Sequence, residues 1–353
     1  MTALRTLVVC PGRGSYDRAA LGQLTRPSSP RTDGAREVLE RCDAHRAALG
    51  RKTVSELDGA DAYRSTLHVA GENASLLTFA CGLADLADLS RERFDIVGVT
   101  GNSMGFYTAL AASGALSLDD AITLVETMGA YQTGNVIGGQ VLYPMTAART
   151  WRTDPARRQV VEQALQRVRD AGHVAEWSIE LGGFAVLGAD TAGVKALLEA
   201  LPPDVRGDRT FPIQLPLHSA FHTSLMADTS ARALQELGGL GFQAPDVPLV
   251  DGRGFVFRPH WADPRALRDY TLGHQVVAPF DFTTAVHTAL QHCAPDLVVA
   301  LGPGNALGGP LARILVEAGW RGIQSRADFD AVQASDHPML LSFGVTKQRE
   351  HLV

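Results

Sequence analysis

The chain has 353 residues, 45% of them hydrophobic and 20% charged, which bounds it as a soluble globular protein of one or two domains with a large core. A formal net charge of -6 and the lack of any dense Lys/Arg run argue against nucleic acid or an anionic membrane as the main partner, while a phosphate-bearing partner can still meet a local basic patch. Cys10, Cys42, Cys81 and Cys293 lie far apart without paired spacing, so they read as reduced buried residues rather than a disulfide framework or a metal site.

In chain order, the N-terminal apolar run is too short for a signal peptide, and no segment approaches membrane-spanning length; a cytoplasmic location is expected. Leu7-Val8-Val9-Cys10 reads as a buried strand that stops at Pro11-Gly12-Arg13-Gly14-Ser15, a turn whose glycines leave backbone N–H groups free to point inward. The Lys-Ser/Thr of a nucleotide P-loop is missing, so no nucleotide is expected there. Helical periodicity follows over 35–49 and 73–88, then the strand Ile96 to Val99. Gly101-Asn102-Ser103-Met104-Gly105 comes next and opens helices over Gly105 to Ala115 and Leu118 to Ala130. A serine between two glycines at a strand-to-helix turn reads as a nucleophile elbow. The turn exposes the hydroxyl and aims the first N–H groups of the helix at developing negative charge, and the glycines let strand and helix backbones approach. A strand-turn-helix that uses small residues only for packing is the competing reading.

The middle of the chain has a different rhythm. A strand over Gln140 to Met145 precedes a charged helix over 155–171, strands at Ala175 to Ile179 and Phe184 to Leu187, a helix over 191–201, and a strand Thr210 to Leu215. Strand-helix-strand-strand-helix-strand is the ferredoxin-like order. The expected fold is therefore α/β, an α/β-hydrolase-like core with a parallel sheet over 1–134 and 216–353, plus an inserted ferredoxin-like subdomain over 135–215. A cleft between the two is the natural substrate site. Leu297 to Leu301 is a further buried strand, ending in Gly302-Pro303-Gly304, and the tail from about Asp328 has weak periodicity.

A serine nucleophile needs a base, and the chain has 11 histidines. His222 leads, because it follows the strand that closes the insert and precedes a helix, at the mouth of the expected cleft. His218 is the rival; the two would share a face if the segment were helical, but Pro216 and the small residues favour a loop. His260, His274, His287 and His292 read as solvated or helix-surface residues.

Four motifs in order, over about residues 7–325, resemble those of the malonyl-CoA:acyl carrier protein transacylases and the acyltransferase domains of polyketide synthases. Pro11 to Ser15 is similar to that family's Pro-Gly-Gln-Gly-Ser loop, Gly101 to Gly105 to its Gly-His-Ser-Leu-Gly elbow, and Ala220-Phe221-His222-Thr223-Ser224-Leu225-Met226 to its Ala-Phe-His-Ser-x-x-Met segment. Gly302-Pro303-Gly304 with Leu307 is similar to its late Gly-Pro-Gly-x-x-Leu. The resemblance implies a serine–histidine dyad in which Ser103 attacks an acyl thioester and His222 takes its proton. It implies an oxyanion hole from the backbone N–H groups of Arg13 and Met104, each such donor being worth about 3 kcal/mol. The family's histidine is oriented by a main-chain carbonyl, and the matching segment here is Pro248 to Gly252, which offers Gly252 or the Asp251 carboxylate. No bound cofactor is implied. The substrates themselves carry phosphopantetheine, as CoA or acyl carrier protein.

Departures from the family bear on the substrate. Malonyl-loading members place on the helix after the elbow an arginine that pairs with the malonate carboxylate, and the matching position here is Met128, with no arginine anywhere between Phe94 and Ala148. An unpaired buried carboxylate is costly, so Met128 predicts an uncharged, more apolar acyl group. Arg13, in place of the family's glutamine, is the counter-reading: it could reach the acyl pocket from the first loop. Asn102 beside the nucleophile and Phe221 beside the histidine complete the candidate substrate contacts. The expected function is a freestanding acyltransferase of polyketide or fatty-acid biosynthesis, moving a non-malonyl acyl group through Ser103 from an acyl-CoA or acyl carrier protein donor to an acyl carrier protein. The alternatives are a malonyl transacylase using Arg13, a hydrolase that strips acyl groups from carriers, and a non-catalytic docking protein. Arg149, Arg152, Arg157, Arg158, Arg253 and Arg258 are candidate contacts for an acidic carrier.

Overall fold

The structure, a computed structural model, describes residues 2–26, 31–134, 136–147 and 150–353. The apolar run predicted as the first strand forms β1 (Leu4–Cys10), with Leu7 to Cys10 wholly buried. Then come α1 (Asp33–Ala48), α2 (Gly71–Asp88), the elbow strand β2 (Phe94–Gly101), α3 (Gly105–Ala112) and α4 (Leu118–Ala130). The middle of the chain supplies β3 (Gly139–Pro144), α5 (Pro155–Asp170), β4 (Ala175–Glu180), β5 (Phe184–Ala189), α6 (Thr191–Ala200) and β6 (Ile213–Gln214). After α7 (Ala227–Leu237) come β7 (Leu249–Val250), β8 (Val256–Phe257), β9 (Phe280–Asp281), α8 (Phe282–Cys293), β10 (Leu297–Ala300), α9 (Gly308–Glu317) and β11 (Leu340–Ser342).

The larger sheet has the order β8-β7-β2-β1-β10-β11, parallel throughout except for β8 against β7. Its central strands are covered on both faces by helices, which is why they read as unbroken apolar runs. The smaller sheet has the order β9-β4-β5-β3-β6, with β3, β4, β5 and β6 antiparallel, and its own core around Val141, Leu165, Leu187 and Leu197. That is the ferredoxin-like arrangement of four strands and two helices. A fifth strand, β9, comes from the later part of the chain and pairs parallel with β4. Among the described residues no helix is long and apolar enough to cross a membrane.

Two expectations change. The single strand read over Thr210 to Leu215 is broken: Arg209–Phe211 turns away to pair with Asp204–Arg206, and only β6 joins the sheet. Pro212 lies at the break, and without an N–H it cannot extend a ladder. The weakly periodic tail is an integral part of the core. β11 is the sixth strand of the larger sheet, and Arg349 reaches Asp85 and Asp88 on α2 at 2.8 and 3.0 Å, where Arg31 also pairs with both carboxylates. Ion pairs across sequence leave no periodic trace, so the pattern of the tail understates its role.

Candidate active site

Parallel strands deliver their loops to one edge of the sheet, and ligands of open α/β folds bind there. β1 and β2 are neighbours in that sheet, so the turn after β1 and the elbow after β2 emerge side by side: Asn102 N–H donates to the Cys10 carbonyl at 3.0 Å. The elbow glycines are required by contact. A Cβ on Gly101 would overlap the Gly105 carbonyl, and one on Gly105 would lie 2.7 Å from the Pro11 carbonyl oxygen. Ser103, squeezed between them, has φ 54°, a left-handed value that a serine adopts only when its surroundings hold it there.

Ser103 Oγ lies 2.7 Å from His222 Nε2. His222 is 2% exposed and also left-handed, at φ 62°. Its ring is bounded by Phe280, with ring centroids 5.4 Å apart, and its Nδ1–H donates to the Gln275 carbonyl at 2.5 Å. That bond fixes the tautomer, leaving the Nε2 lone pair for the Ser103 hydroxyl. Burial pushes the imidazole down to about 4, against the opposing pull of the Gln275 carbonyl. It is therefore neutral at pH 7 and competent to accept a proton.

The histidine contact expected at Asp251 or Gly252 is corrected by this geometry. The Asp251 carboxylate accepts from the Arg253 and Phe255 N–H groups at 2.8 and 3.0 Å and from the Arg253 guanidinium at 2.5 Å, so it closes its own turn. The Gly252 carbonyl accepts from Asp281 N–H at 2.7 Å, within the step that leads into β9. Gln275 takes the position instead. Its carbonyl would serve an N–H four residues on in a continuing helix, but residue 279 is proline, which has none. The freed carbonyl meets His222 Nδ1, and the next one, of Val276, accepts the His222 N–H at 2.9 Å. A π-helical turn over Tyr270–His274 leads into this helix end. Gln275 also acts through its side chain, whose Nε2 donates to the Ser103 carbonyl at 3.0 Å while Oε1 is buried without a partner. Sequence reading missed Gln275; the signal was Pro279, four residues after it.

Among the described residues, the N–H groups of Arg13 and Met104 have no hydrogen-bond partner, and both flank the elbow. Asn102 is 8% exposed, with its side-chain nitrogen against Gly12 and its Oδ1 unpartnered. Phe221 is half-buried beside His222, and its carbonyl accepts from Ser178 Oγ at 2.8 Å. Met128 is buried in the apolar core of the larger part, near the C-terminal end of α4. The Arg13 side chain ends just beyond α4, with Nη1 on Gln132 Oε1 and Nη2 on the Leu217 carbonyl, both at 2.6 Å. His218 is half-buried nearby, its Nδ1 2.8 Å from the Pro216 carbonyl, and burial together with Arg13 pushes it down to about 3. Of the candidate docking arginines, Arg149 lies outside the described residues. Arg157, Arg158 and Arg253 are paired with Asp204, Glu180 and Asp251, so their charge meets carboxylates of the chain itself, whereas Arg152 contacts only the neutral amide of Gln324.

A serine and a histidine poised at the elbow of an α/β sheet define the class, and comparison with known proteins narrows it. No protein-family model matches the chain. It is 24% identical over 229 residues to the malonyl CoA-acyl carrier protein transacylase of Bacillus subtilis, covering 63% of this chain and 68% of that protein. It is 28% identical over 228 residues to the transacylase of Salmonella typhimurium, covering 62% of this chain and 65% of the other. With polyketide synthase GfsB of Streptomyces halstedii it shares 28% identity over 211 residues, 59% of this chain but 3% of that much longer protein. In fold, it is similar to the acyl-carrier-protein S-malonyltransferase of Burkholderia pseudomallei, with a TM-score of 0.72 at 23% identity over 99% of both chains. It is likewise similar to a malonyl-transacylase solved in complex with its type II polyketide synthase acyl-carrier protein, with a TM-score of 0.73 at 18% identity, covering 99% of this chain and 98% of that one. The resemblance read from the four motifs thus holds in sequence over about two thirds of the chain and in fold over nearly all of it.

Proposed function

We propose that the protein is an acyltransferase that carries an acyl group from a thioester of CoA or of an acyl carrier protein, through an ester on Ser103, to the phosphopantetheine thiol of an acyl carrier protein. The observation that carries this reading is the 2.7 Å contact between Ser103 Oγ and a His222 ring whose Nδ1–H is held by the Gln275 carbonyl. As Oγ bonds to the thioester carbon, its proton passes to Nε2, and the carbonyl oxygen becomes an oxyanion facing the N–H groups of Arg13 and Met104. Collapse of the intermediate breaks the C–S bond, and the imidazolium returns the proton to the departing thiolate. The same steps run in reverse with the carrier's thiol as nucleophile. Relatives named as acyl carrier protein transacylases, and the solved complex of one transacylase with its carrier, support both the reaction class and the partner.

The acyl group is selected at the end of α4. Met128 contributes apolar surface and no charge, which supports an uncharged acyl group if α4 alone is considered. The charge at this end comes from Arg13, on another element. Intact-protein mass spectrometry after mixing with a panel of acyl thioesters tests the reading. The expected result is an acyl adduct absent from Ser103→Ala that moves to added carrier protein. An adduct lost only to water supports the hydrolase instead, and no adduct with any thioester overturns both.

A further inference from the structure

The smaller sheet turns one face to its own helices, around Val141 and Leu187, and the other to the segment that carries His222. On that second face lie two buried polar side chains, Gln140 of β3, 3% exposed, and Ser178 of β4, wholly buried. Gln140 Nε2 donates to Ser178 Oγ at 2.7 Å, and the Ser178 hydroxyl donates to the Phe221 carbonyl at 2.8 Å. Gln140 Nε2 also lies 3.4 Å from that carbonyl oxygen. Burying an amide and a hydroxyl in a sheet costs free energy unless their bonds are made, and here the donors converge on one carbonyl.

That carbonyl belongs to the peptide joining Phe221 to His222, and the N–H of the same peptide donates to the Val276 carbonyl at 2.9 Å. The peptide is therefore held at its oxygen by the smaller sheet and at its nitrogen by the helix end at Val276. The next torsion along the chain is the His222 φ of 62°, a left-handed value that relaxes unless its surroundings oppose it. Two local features serve this clamp. The register of β4 against β5 slips between Trp177 and Ile179, so Ser178 is the extra residue of a β-bulge, a device that re-aims a side chain. Gly188 of β5 leaves room for the segment, since a Cβ there would lie 2.5 Å from Thr223 Cγ2 and 3.5 Å from Ala220 Cβ.

We propose that Gln140 and Ser178 are positioning residues for the catalytic base: through the Phe221 carbonyl they fix the peptide plane that sets the His222 ring against Ser103. The smaller sheet thus takes part in the chemistry without touching the acyl group. This rests on the Ser103–His222 dyad of the acyl-transfer reading above, and not on which acyl group is carried. The ring itself faces Phe221, Phe280, Ser103 and the Gln275 carbonyl, none of them charged, so its position rather than a neighbouring charge sets its behaviour.

The test is the pH dependence of Ser103 labelling by a fluorophosphonate, in which Oγ bonds to phosphorus, fluoride leaves and the hydroxyl proton passes to His222, so no thioester is needed. In the double variant Gln140→Met/Ser178→Ala the Phe221 carbonyl loses both donors. Labelling at neutral pH should fall about tenfold. Its half-point should rise from about 4 toward 6.5 as the freed ring meets water. Should the double variant not fold, Ser178→Ala alone leaves Gln140 within reach and should show a smaller rise in the same direction. Leu187→Ala, in the helix-covered core of the same sheet, loosens that sheet without touching Phe221 and should leave the half-point in place. An unmoved half-point in the folded clamp variant overturns the proposal, as does an equal rise in Leu187→Ala. A native protein that labels with the fluorophosphonate but with no acyl thioester overturns the acyl-transfer reading and leaves the clamp standing; labelling by neither overturns both.

Discussion

The two ends of the site are built from different materials. At the nucleophile end the main chain does the positioning: two left-handed residues, Ser103 and His222, two glycines that admit neighbouring carbonyls, and helix-end carbonyls at Gln275 and Val276 that hold the histidine. At the end reached by the first loop side chains do it: Arg13 bridges Gln132 and Leu217 in the space left by Gly71. Backbone-built geometry tolerates exchange of most side chains around it, so it suits the part of a reaction that is common to many acyl groups. Side-chain-built geometry changes with one or two substitutions, and that is where specificity can drift.

The sharpest way to break this contrast is Gly105→Ala, which adds one methyl group at the nucleophile end. Its Cβ would meet the Cys10 and Pro11 carbonyls, and neither backbone group can move without displacing β1 or the Arg13 loop. A loss of about 3 kcal/mol in unfolding free energy by denaturant titration is expected, with acyl-Ser103 formation abolished in what remains folded. A variant as stable and as active as the native protein would mean the elbow is not held by close backbone approach.

The legibility of the two ends follows the same division. Gly101-Asn102-Ser103-Met104-Gly105 and the segment around His222 were readable because backbone strain and close approach restrict residue types locally, and their spacing along the chain is fixed by the strand-turn-helix units that carry them. The α/β alternation was readable from apolar runs for the same reason. The partner of His222 was not, since a main-chain carbonyl carries no residue identity and Gln275 lies 53 residues away. The kind of group, a main-chain carbonyl, was expected, but in the segment around Gly252 rather than at Gln275, and the alternative Asp251 carboxylate serves Arg253 and its own turn. The place of Arg13 was equally hidden: its side chain meets a residue 119 positions on and another 204 positions on, distances at which no periodicity operates.

Gln275 separates main-chain from side-chain contributions within one residue. In Gln275→Leu the carbonyl that orients His222 remains, while the side-chain bond to the Ser103 carbonyl is lost and the unpartnered buried Oε1 disappears. Acylation should fall about tenfold, with stability close to native, because loss of the bond is offset by removal of a buried polar atom without a partner. A loss of several orders of magnitude would show that the side chain, not the carbonyl, positions the dyad. The pH profile probes the same end without mutation. The base must be neutral to accept the Ser103 proton, and burial holds His222 down to about 4. Acylation should stay level from neutral pH to about 5 and fall about tenfold per unit below 4. Stability changes in the same direction. The unfolded chain binds a proton on this histidine below its ordinary 6.5 and the folded protein does not until about 4, so stability falls as pH drops through that window, by at most about 1.4 kcal/mol per unit. A half-point of activity near 6.5 would instead mean that the ring is solvated in the working state.

The smallest effect on activity is expected at Asp251, and it decides what kind of group holds the base. If a carboxylate oriented the imidazole, its neutralisation would cost acylation several orders of magnitude, as in serine hydrolases whose histidine relies on one. The carboxylate is instead wholly buried against two N–H groups and the half-exposed Arg253 guanidinium. Asp251→Asn keeps an oxygen for the two N–H groups and loses the ion pair, so unfolding free energy should drop by about 2 kcal/mol while acylation changes less than about twofold. The orienting bond from His222 ends on a peptide carbonyl, which no side-chain substitution removes.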